Sequence, residues 1–372
     1  MGQAMSLVET LVHAEVLGLL SVAQAPLLFG NFTPGFVGPV IKKTAANTLS
    51  VSAGTFVAVG ARVLRFSVDV PVVMPALTQG EDYSVWVAPS GVIQAVADPF
   101  STPAAAPVSG ARKIGGFHYA LTSAGTTVAG GSFATTGSGM IWAQTDVDLI
   151  AGINAWSIWD LGFRPRCDPR GMALVSNSFW MDLYLCGTNH PGVGTSRRGS
   201  DVASGSVFAK RPVMFGGNGV ATYADLTWWS ASEIAVSAGK SLPSYAEFCA
   251  AAFGVTEAQS LGGASVTIPA TLRQPGYTSK FGLEQASGHQ LVWCADASTR
   301  PDGTAGWAWR NNTGGRGQLY LYSDTGNVRC VAGGYRNVGA YSGSRCSGWN
   351  FCPWNSDWNI SLRARADHLI LR

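Results

Sequence analysis

Between Leu49 and Val87 the chain alternates apolar and polar residues in short runs. They are Leu49-Ser-Val-Ser, Phe56-Val-Ala-Val, Val63-Leu-Arg-Phe-Ser-Val-Asp-Val and Tyr83-Ser-Val-Trp-Val. A period of two sends every second side chain to one face, which is the pattern of a half-buried strand and not of a helix. Gly, Pro, Asp and Asn separate the runs and close each strand with a turn. Short strands at this spacing predict a β-sandwich over residues 31–125. The composition agrees: 46 glycines and 13 tryptophans in 372 residues suit turn-rich sheet better than helix bundles. With 47% hydrophobic residues the chain can fill one large core or two to three modest ones.

Residues 97–109, rich in Pro and Ala, read as a loop, and 122–139, dense in Gly, Ser and Thr, read as a linker that divides the chain. Beyond it, residues 126–372 mix element types, so the whole is expected to be α+β. Asp146-Val-Asp-Leu-Ile opens one helix. Leu242 to Gly254 carries the fullest helix signature, with Ser244 as N-cap, Glu247 three residues on and Gly254 as terminator; Phe248, Ala252 and Phe253 would face a core. Gln290-Leu-Val-Trp-Cys and Gln318-Leu-Tyr-Leu-Tyr read as strands, and Leu369-Ile-Leu as a terminal one. The apolar segment 1–30 lacks a basic start and is interrupted by Glu9, His13 and Glu15. It reads as an oligomerisation or attachment segment rather than a signal peptide or membrane span.

Several chemistries are disfavoured. Charged residues make up 13% of the chain, with net charge +3 and no basic block, which argues against nucleic acid as a partner. Cys167, Cys186, Cys249, Cys294, Cys330, Cys346 and Cys352 form no Cys-x-x-Cys pair, so neither a zinc site nor a dense disulfide scaffold is expected. They read as thiols filling the core, with Cys346–Cys352 the one bridge left open. No hydrolase elbow, metalloprotease motif or phosphate loop occurs, and Gly314-Gly-Arg-Gly317 reads as a turn. The five histidines are scattered and read as hydrogen-bonded structural residues. The chain is therefore expected to work without catalytic residues, cofactor or metal.

The final segment is different. Residues 331–372 interleave Arg336, Asn337, Tyr341, Arg345, Trp349, Asn350, Phe351, Trp354, Asn355, Asp357, Trp358 and Asn359 with Gly and Ser. Trp and Tyr offer rigid contact area, Arg planar donors, and Asn and Ser adaptable hydrogen bonds, which together make a recognition surface. The three tryptophans are expected to be core.

These residues carry a resemblance that covers most of the chain. Trp156-Ser-Ile-Trp-Asp-Leu-Gly-Phe-Arg-Pro, Asp168-Pro-Arg-Gly-Met-Ala-Leu-Val, Gly187-Thr-Asn-His, Leu242-Pro-Ser-Tyr-Ala-Glu-Phe, Asn312-Thr-Gly-Gly-Arg-Gly, Gly333-Gly, Ser342-Gly-Ser-Arg and Asp367-His-Leu-Ile-Leu follow in order. In this the chain resembles the variable proteins of diversity-generating retroelements, in particular those that serve as receptor-binding tail-fibre proteins of phages. The resemblance implies a C-type lectin fold of the formylglycine-generating-enzyme type without enzyme activity. It implies a homotrimer at a virion tail-fibre tip, joined to other tail-fibre components and binding a host cell-surface receptor; a chromosomal copy would sit on the bacterial surface. In such systems adenine-directed mutagenesis of a repeat diversifies chosen codons, which then never encode Trp, Lys, Glu, Gln or Met. It implies variable contact positions at Tyr335, Asn337, Val338, Gly339, Tyr341, Gly348, Asn350, Phe351, Asn355, Asp357, Asn359 and Ile360. Residues 331–372 contain no Lys, Glu, Gln or Met, and the forbidden Trp349, Trp354 and Trp358 would be fixed scaffold. Arg345 and Asp367 are candidate polar fastenings. The alternatives are a fixed-specificity surface lectin holding sugar through calcium, with Asp302, Asp324 and Asp357 as candidate ligands, and an enzyme using a Cys pair or paired carboxylates.

Overall fold

The computed structural model describes residues 28–123, 142–262, 270–298, 307–310, 317–321 and 328–370. Most of the expected attachment segment, most of the expected linker, part of the glycine-rich turn at 314–317, and Asp302 and Asp324 lie outside the described residues.

The alternating runs form strands. A three-stranded sheet joins β1 (Phe29–Asn31), β4 (Thr55–Val59) and β5 (Arg62–Phe66), and another joins β2 (Ile41–Ala45), β3 (Thr48–Val51) and β6 (Val70–Pro71). The run Val63–Val70 is thus two strands. Asp69 at the break takes the backbone N–H of Ala53 at 2.8 Å instead of continuing the ladder. These sheets pack on β7 (Glu81–Val87), β8 (Ile93–Ala97) and β9 (Arg112–Tyr119), and Ile41, Val51, Val57, Val85, Ile93, Ile114 and Phe117 fill the shared core.

The sheet does not stop at the expected division of the chain. From β9 it continues through β10 (Trp159–Asp160), β11 (Phe163–Pro165), β20 (Arg365–Ile370), β13 (Phe179–Asp182) and β12 (Met172–Val175), giving eight strands in the order β12-β13-β20-β11-β10-β9-β7-β8. Gly115 and Gly116 allow the join. A Cβ on Gly115 would stand 2.2 Å from the Trp159 carbonyl oxygen, and one on Gly116 would stand 2.4 Å from that of Tyr83. No larger residue admits so close a backbone approach. The last strand therefore lies inside the sheet, between β11 and β13, rather than at an edge.

A second, six-stranded sheet has the order β15-β16-β18-β17-β14-β19. Its strands are β14 (Leu291–Ser298), β15 (Ala308–Arg310), β16 (Leu319–Leu321), β17 (Val328–Ala332), β18 (Ser347–Phe351) and β19 (Ile360–Ser361). Helices are few: α1 (Gln144–Ile150), α2 (His190–Val193), α3 (Trp228–Ser237) and α4 (Tyr245–Ala251). In α4 the Ser244 hydroxyl accepts from Glu247 N–H at 3.2 Å, and the Glu247 carboxylate accepts from Ser244 N–H at 2.8 Å, the capping box that the sequence predicts. The helix ends at Ala251, short of Gly254. Phe248 and Ala252 are buried and Phe253 is half-buried.

All seven cysteines are free thiols. The histidines found in the described residues are hydrogen-bonded. His118 bridges Asp82 at 2.9 Å and Tyr184 at 3.0 Å, His190 donates to the Lys210 carbonyl at 2.8 Å, His289 meets Gln285 at 3.2 Å, and His368 accepts from the Trp180 indole at 2.9 Å.

A buried ion pair closes the end of β13. Lys240 Nζ donates to Asp182 Oδ1 at 2.5 Å and to Thr195 Oγ1 at 2.8 Å, and Thr195 donates to Asp182 Oδ2 at 2.7 Å. Burial works against the charge on Lys240, but the Asp182 carboxylate, through its charge and its hydrogen bond, together with Cys167 and Asp168, holds the ammonium above its ordinary pKa. Removing one partner leaves the other charged and unpaired in a dry site. Lys240→Met is therefore expected to lower stability by about 3–5 kcal/mol in urea unfolding, and a loss under 1 kcal/mol would show that the pair does not hold this part of the fold together.

Candidate functional site

The segment 331–372 is tied into both sheets. It begins in β17 and ends in β20, and between them it forms two excursions around β18. The first, from Gly333 to Cys346, opens with two glycines at φ +99° and +75°. A Cβ on Gly333 would meet the Phe248 ring at 2.7 Å, and one on Gly334 would meet Ser342 Oγ at 2.3 Å. The excursion is held by its main chain. The Arg336 carbonyl accepts from Gly262 N–H at 2.7 Å and Ser260 Oγ at 2.8 Å, Gly339 N–H donates to Ser260 Oγ at 3.0 Å, and the Arg345 carbonyl accepts from the Tyr245 hydroxyl at 2.8 Å. Buried Glu257 takes both Ser344 N–H at 2.8 Å and Ser344 Oγ at 2.6 Å.

The second excursion, 352–359, is held in the same way. Trp228 N–H donates to the Pro353 carbonyl at 3.0 Å, Gly205 N–H to that of Asp357 at 2.9 Å, and Leu291 N–H to that of Asn359 at 2.9 Å. Ser356 Oγ accepts from Leu226 N–H at 2.8 Å. These bonds to the two excursions end on backbone atoms or serines, so the excursions are held without most of their other side chains.

The excursions and β18 enclose a concavity of about 510 Å3. Gly348 lies at its floor, paired with Tyr320 of β16 on one side and Val331 of β17 on the other. The wall is aromatic. Trp309 stacks on Tyr341 with ring centroids 4.3 Å apart and planes 3° from parallel. Tyr320 lies 4.8 Å from Trp309, and Trp307 stacks on Tyr320 at 5.6 Å. Among the described residues no three His, Cys, Asp or Glu converge as metal ligands.

Residues 39–143 match the family described as the Mtd second domain. Over 337 residues the chain is 40% identical to the tail fiber receptor-binding protein of Bordetella phage BPP-1, covering 88% of this chain and 82% of that one. The chain belongs to the major tropism determinant family. Its structure is similar to that of the major tropism determinant U1 variant, with TM-score 0.74 and 39% identity, and to the M1 variant, with TM-score 0.75 and 38% identity. Each match covers 92% of this chain and 86% of the other. The sheet-rich architecture with few helices is the family's.

Nine of the positions implied as variable line the concavity: Tyr335, Asn337, Val338, Tyr341, Gly348, Asn350, Phe351, Asp357 and Asn359. Gly339 and Asn355 are exposed outside it. Asn355 also shapes its turn, because its carboxamide oxygen accepts from Cys352 N–H at 2.6 Å. Ile360 requires correction. It is fully buried in β19 beside Trp293, Val331 and Leu362, so it packs the core instead of contacting a ligand. Asn359 is 7% exposed and lies deep in the site.

Of the tryptophans expected in the core, Trp349 packs against the main core and donates to Ser347 Oγ at 3.1 Å, and Trp358 is half-buried with its ring edge-on to Tyr335 at 5.8 Å. Trp354 is 67% exposed, which overturns its assignment to the core: the backbone of the second excursion is held from below, and its ring points outward. Arg345 is exposed, and its carbonyl accepts from the Tyr245 hydroxyl at 2.8 Å. Asp367 is exposed and pairs with Arg365, with Arg166 at 3.7 Å. Sequence reasoning missed Trp309 and Tyr320. Their signal is the alternation Trp307, Trp309 and Tyr320 on two short strands, which places aromatic rings on one sheet face.

Stability should separate core from contact positions. Ile360→Asn is expected to cost at least about 3 kcal/mol by burying an unpaired amide in a filled core. Asn337→Ala and Tyr341→Ala should stay within roughly 1 kcal/mol. Equal losses in thermal unfolding would deny the division.

Proposed function

We propose that the chain is a phage receptor-binding protein that sets host tropism, with the concavity as its contact surface. The observation that carries this reading is the convergence of nine positions implied as variable on one cavity whose backbone is held from outside the segment. A surface of this kind accepts many side-chain combinations without losing its shape. The relatives are receptor-binding tail fibre proteins by name, which supports a binding role without catalysis and a place at the virion tail-fibre tip with the other fibre components.

The C-type lectin fold of the formylglycine-generating-enzyme type is the fold proposed for residues 126–372, and the two excursions around β18 are its binding end. A homotrimer fits the exposed apolar residues Val213, Met214, Val220 and Trp229, which a partner subunit would cover. Several copies together would raise a weak single-site affinity.

The test is adsorption of the purified chain to a panel of immobilised bacterial strains. At least one strain should retain it. Asn337→Ala with Tyr341→Ala should cut retention at least tenfold while leaving thermal unfolding unchanged. Retention by no strain, or retention indifferent to the double substitution, would sink the proposal. Diversification has its own check in the surrounding DNA. A near-copy of the sequence encoding residues 331–372, differing only at adenines and lying beside a reverse transcriptase gene, is expected. Without that copy the concavity would have fixed specificity.

A further inference from the structure

We propose that the concavity takes a basic side chain of the receptor, a guanidinium or an ammonium, held between the aromatic wall and Asp357. This inference rests on the receptor-binding reading above and names what that site would recognise.

Three independent observations lead to it. The first is charge. Among the described residues lining the concavity Asp357 is the one charged group, and none of those residues is basic. Its Oδ1 accepts from the backbone N–H of Trp358 at 2.7 Å, and no described residue forms an ion pair with it. A carboxylate at the edge of a confined space with no cation facing it attracts one.

The second is the balance of hydrogen-bonding groups. Asn359 is 7% exposed and lines the concavity, and its carboxamide oxygen has no partner. The carboxamide oxygen of Asn350, above Gly348, has none either. Buried polar atoms are normally satisfied, so two orphaned acceptors in one cavity call for a ligand rich in donors. Guanidinium and ammonium groups carry donors only. Each sugar hydroxyl offers one donor beside two acceptor lone pairs, and a receptor carboxylate would meet Asp357 with no described cation to neutralise it.

The third is the wall. Trp309 and Tyr341 are stacked at 4.3 Å and Tyr320 packs against Trp309 at 4.8 Å, so aromatic surface and Asp357 border the same space. The electron-rich faces of Trp and Tyr draw cations, and a planar guanidinium stacks on them as well.

The division of labour follows from position in the chain. Trp309 and Tyr320 lie outside residues 331–372, whereas Asn350, Asp357 and Asn359 lie within them. The Trp309 and Tyr320 part of the wall is then constant, Tyr341 varies with the segment, and a cation is preferred for as long as codon 357 encodes an acid. A basic residue at position 357 would reverse the preference.

The experiment is a ligand-observed NMR titration of the full chain with n-propylguanidinium, with methyl α-D-glucopyranoside and acetate as comparison probes, repeated on Asp357→Asn. Asparagine keeps an acceptor for Trp358 N–H, so the variant should fold, and an unchanged circular dichroism spectrum and melting temperature check this. The guanidinium is expected to bind saturably, to weaken as salt rises, and to lose at least tenfold in affinity in the variant. No guanidinium binding, equal binding by Asp357→Asn, or binding of the glucoside in its place would each overturn the proposal. The adsorption assay separates the two readings. Cells retained by a chain that ignores the guanidinium leave the receptor reading standing and remove this one. Guanidinium binding that needs Asp357, in a chain no cell retains, does the reverse.

Discussion

A buried charge at the end of β13 constrains how the last strand is joined to the rest of the structure. Asp182 is fully buried, and a carboxylate removed from water in this way is tolerable only when its oxygens are satisfied and its charge is paired. Lys240 and Thr195 supply both. The geometry has wider consequences, because Lys240 precedes Ser241, whose N–H and carbonyl exchange hydrogen bonds with Arg365 of β20 at 2.9 and 2.8 Å. The pair thus fixes the α3–α4 connection against the last strand. Arg363, also buried, donates to the Asp182 carbonyl at 2.7 Å and to that of Glu284 at 2.6 Å, and links the same point to the chain entering the six-stranded sheet. Burial pulls this guanidinium down to about 10, which leaves it charged at neutral pH. Burial also pushes the neighbouring Glu284 up to about 7, so this joint has little charge to spare.

Rigidity at that joint permits variation beyond it. A surface that must accept many side chains cannot depend on them for its shape. Here Ser260, Glu257 and Tyr245 hold the first excursion, and Gly205, Leu226, Trp228 and Leu291 hold the second, through main-chain atoms or serines. Side chains can then change at little cost to folding, provided they do not belong to the core as Ile360 does. Gly348 marks a limit. A Cβ there would stand 3.0 Å from Asn350 Oδ1 and 3.2 Å from Val331, so substitution at the floor must be matched by its neighbours.

Much of the local structure was legible. The capping box of α4 and the strands of the first hundred residues follow from rules acting over a few residues, and the structure has them. The end of α4 was overestimated because Gly254 lies three residues beyond the last helical turn. The break between β5 and β6 was missed because Asp69 leaves the ladder to bind Ala53, a contact invisible in a pattern of alternation. Trp354 and Ile360 exchanged roles for a related reason. Residue type argued for a buried tryptophan and the resemblance implied a contact position at 360, but exposure is set by which way the second excursion turns.

The sequence by itself determined where many of the strands and helices begin, which segment is dense in Trp, Tyr, Asn and Arg, and the family, because these reside in short-range patterns and in the order of motifs along the chain. Only the tertiary structure decided that one sheet runs through both parts of the chain, that the last strand lies inside it, and that Trp309 and Tyr320 form a wall with residues of the recognition segment. Those facts depend on backbone approaches between residues far apart in sequence, such as Gly115 against Trp159 and Tyr320 beside Gly348. Such approaches are set by what each surface can bury against another and leave no periodic trace in either segment alone.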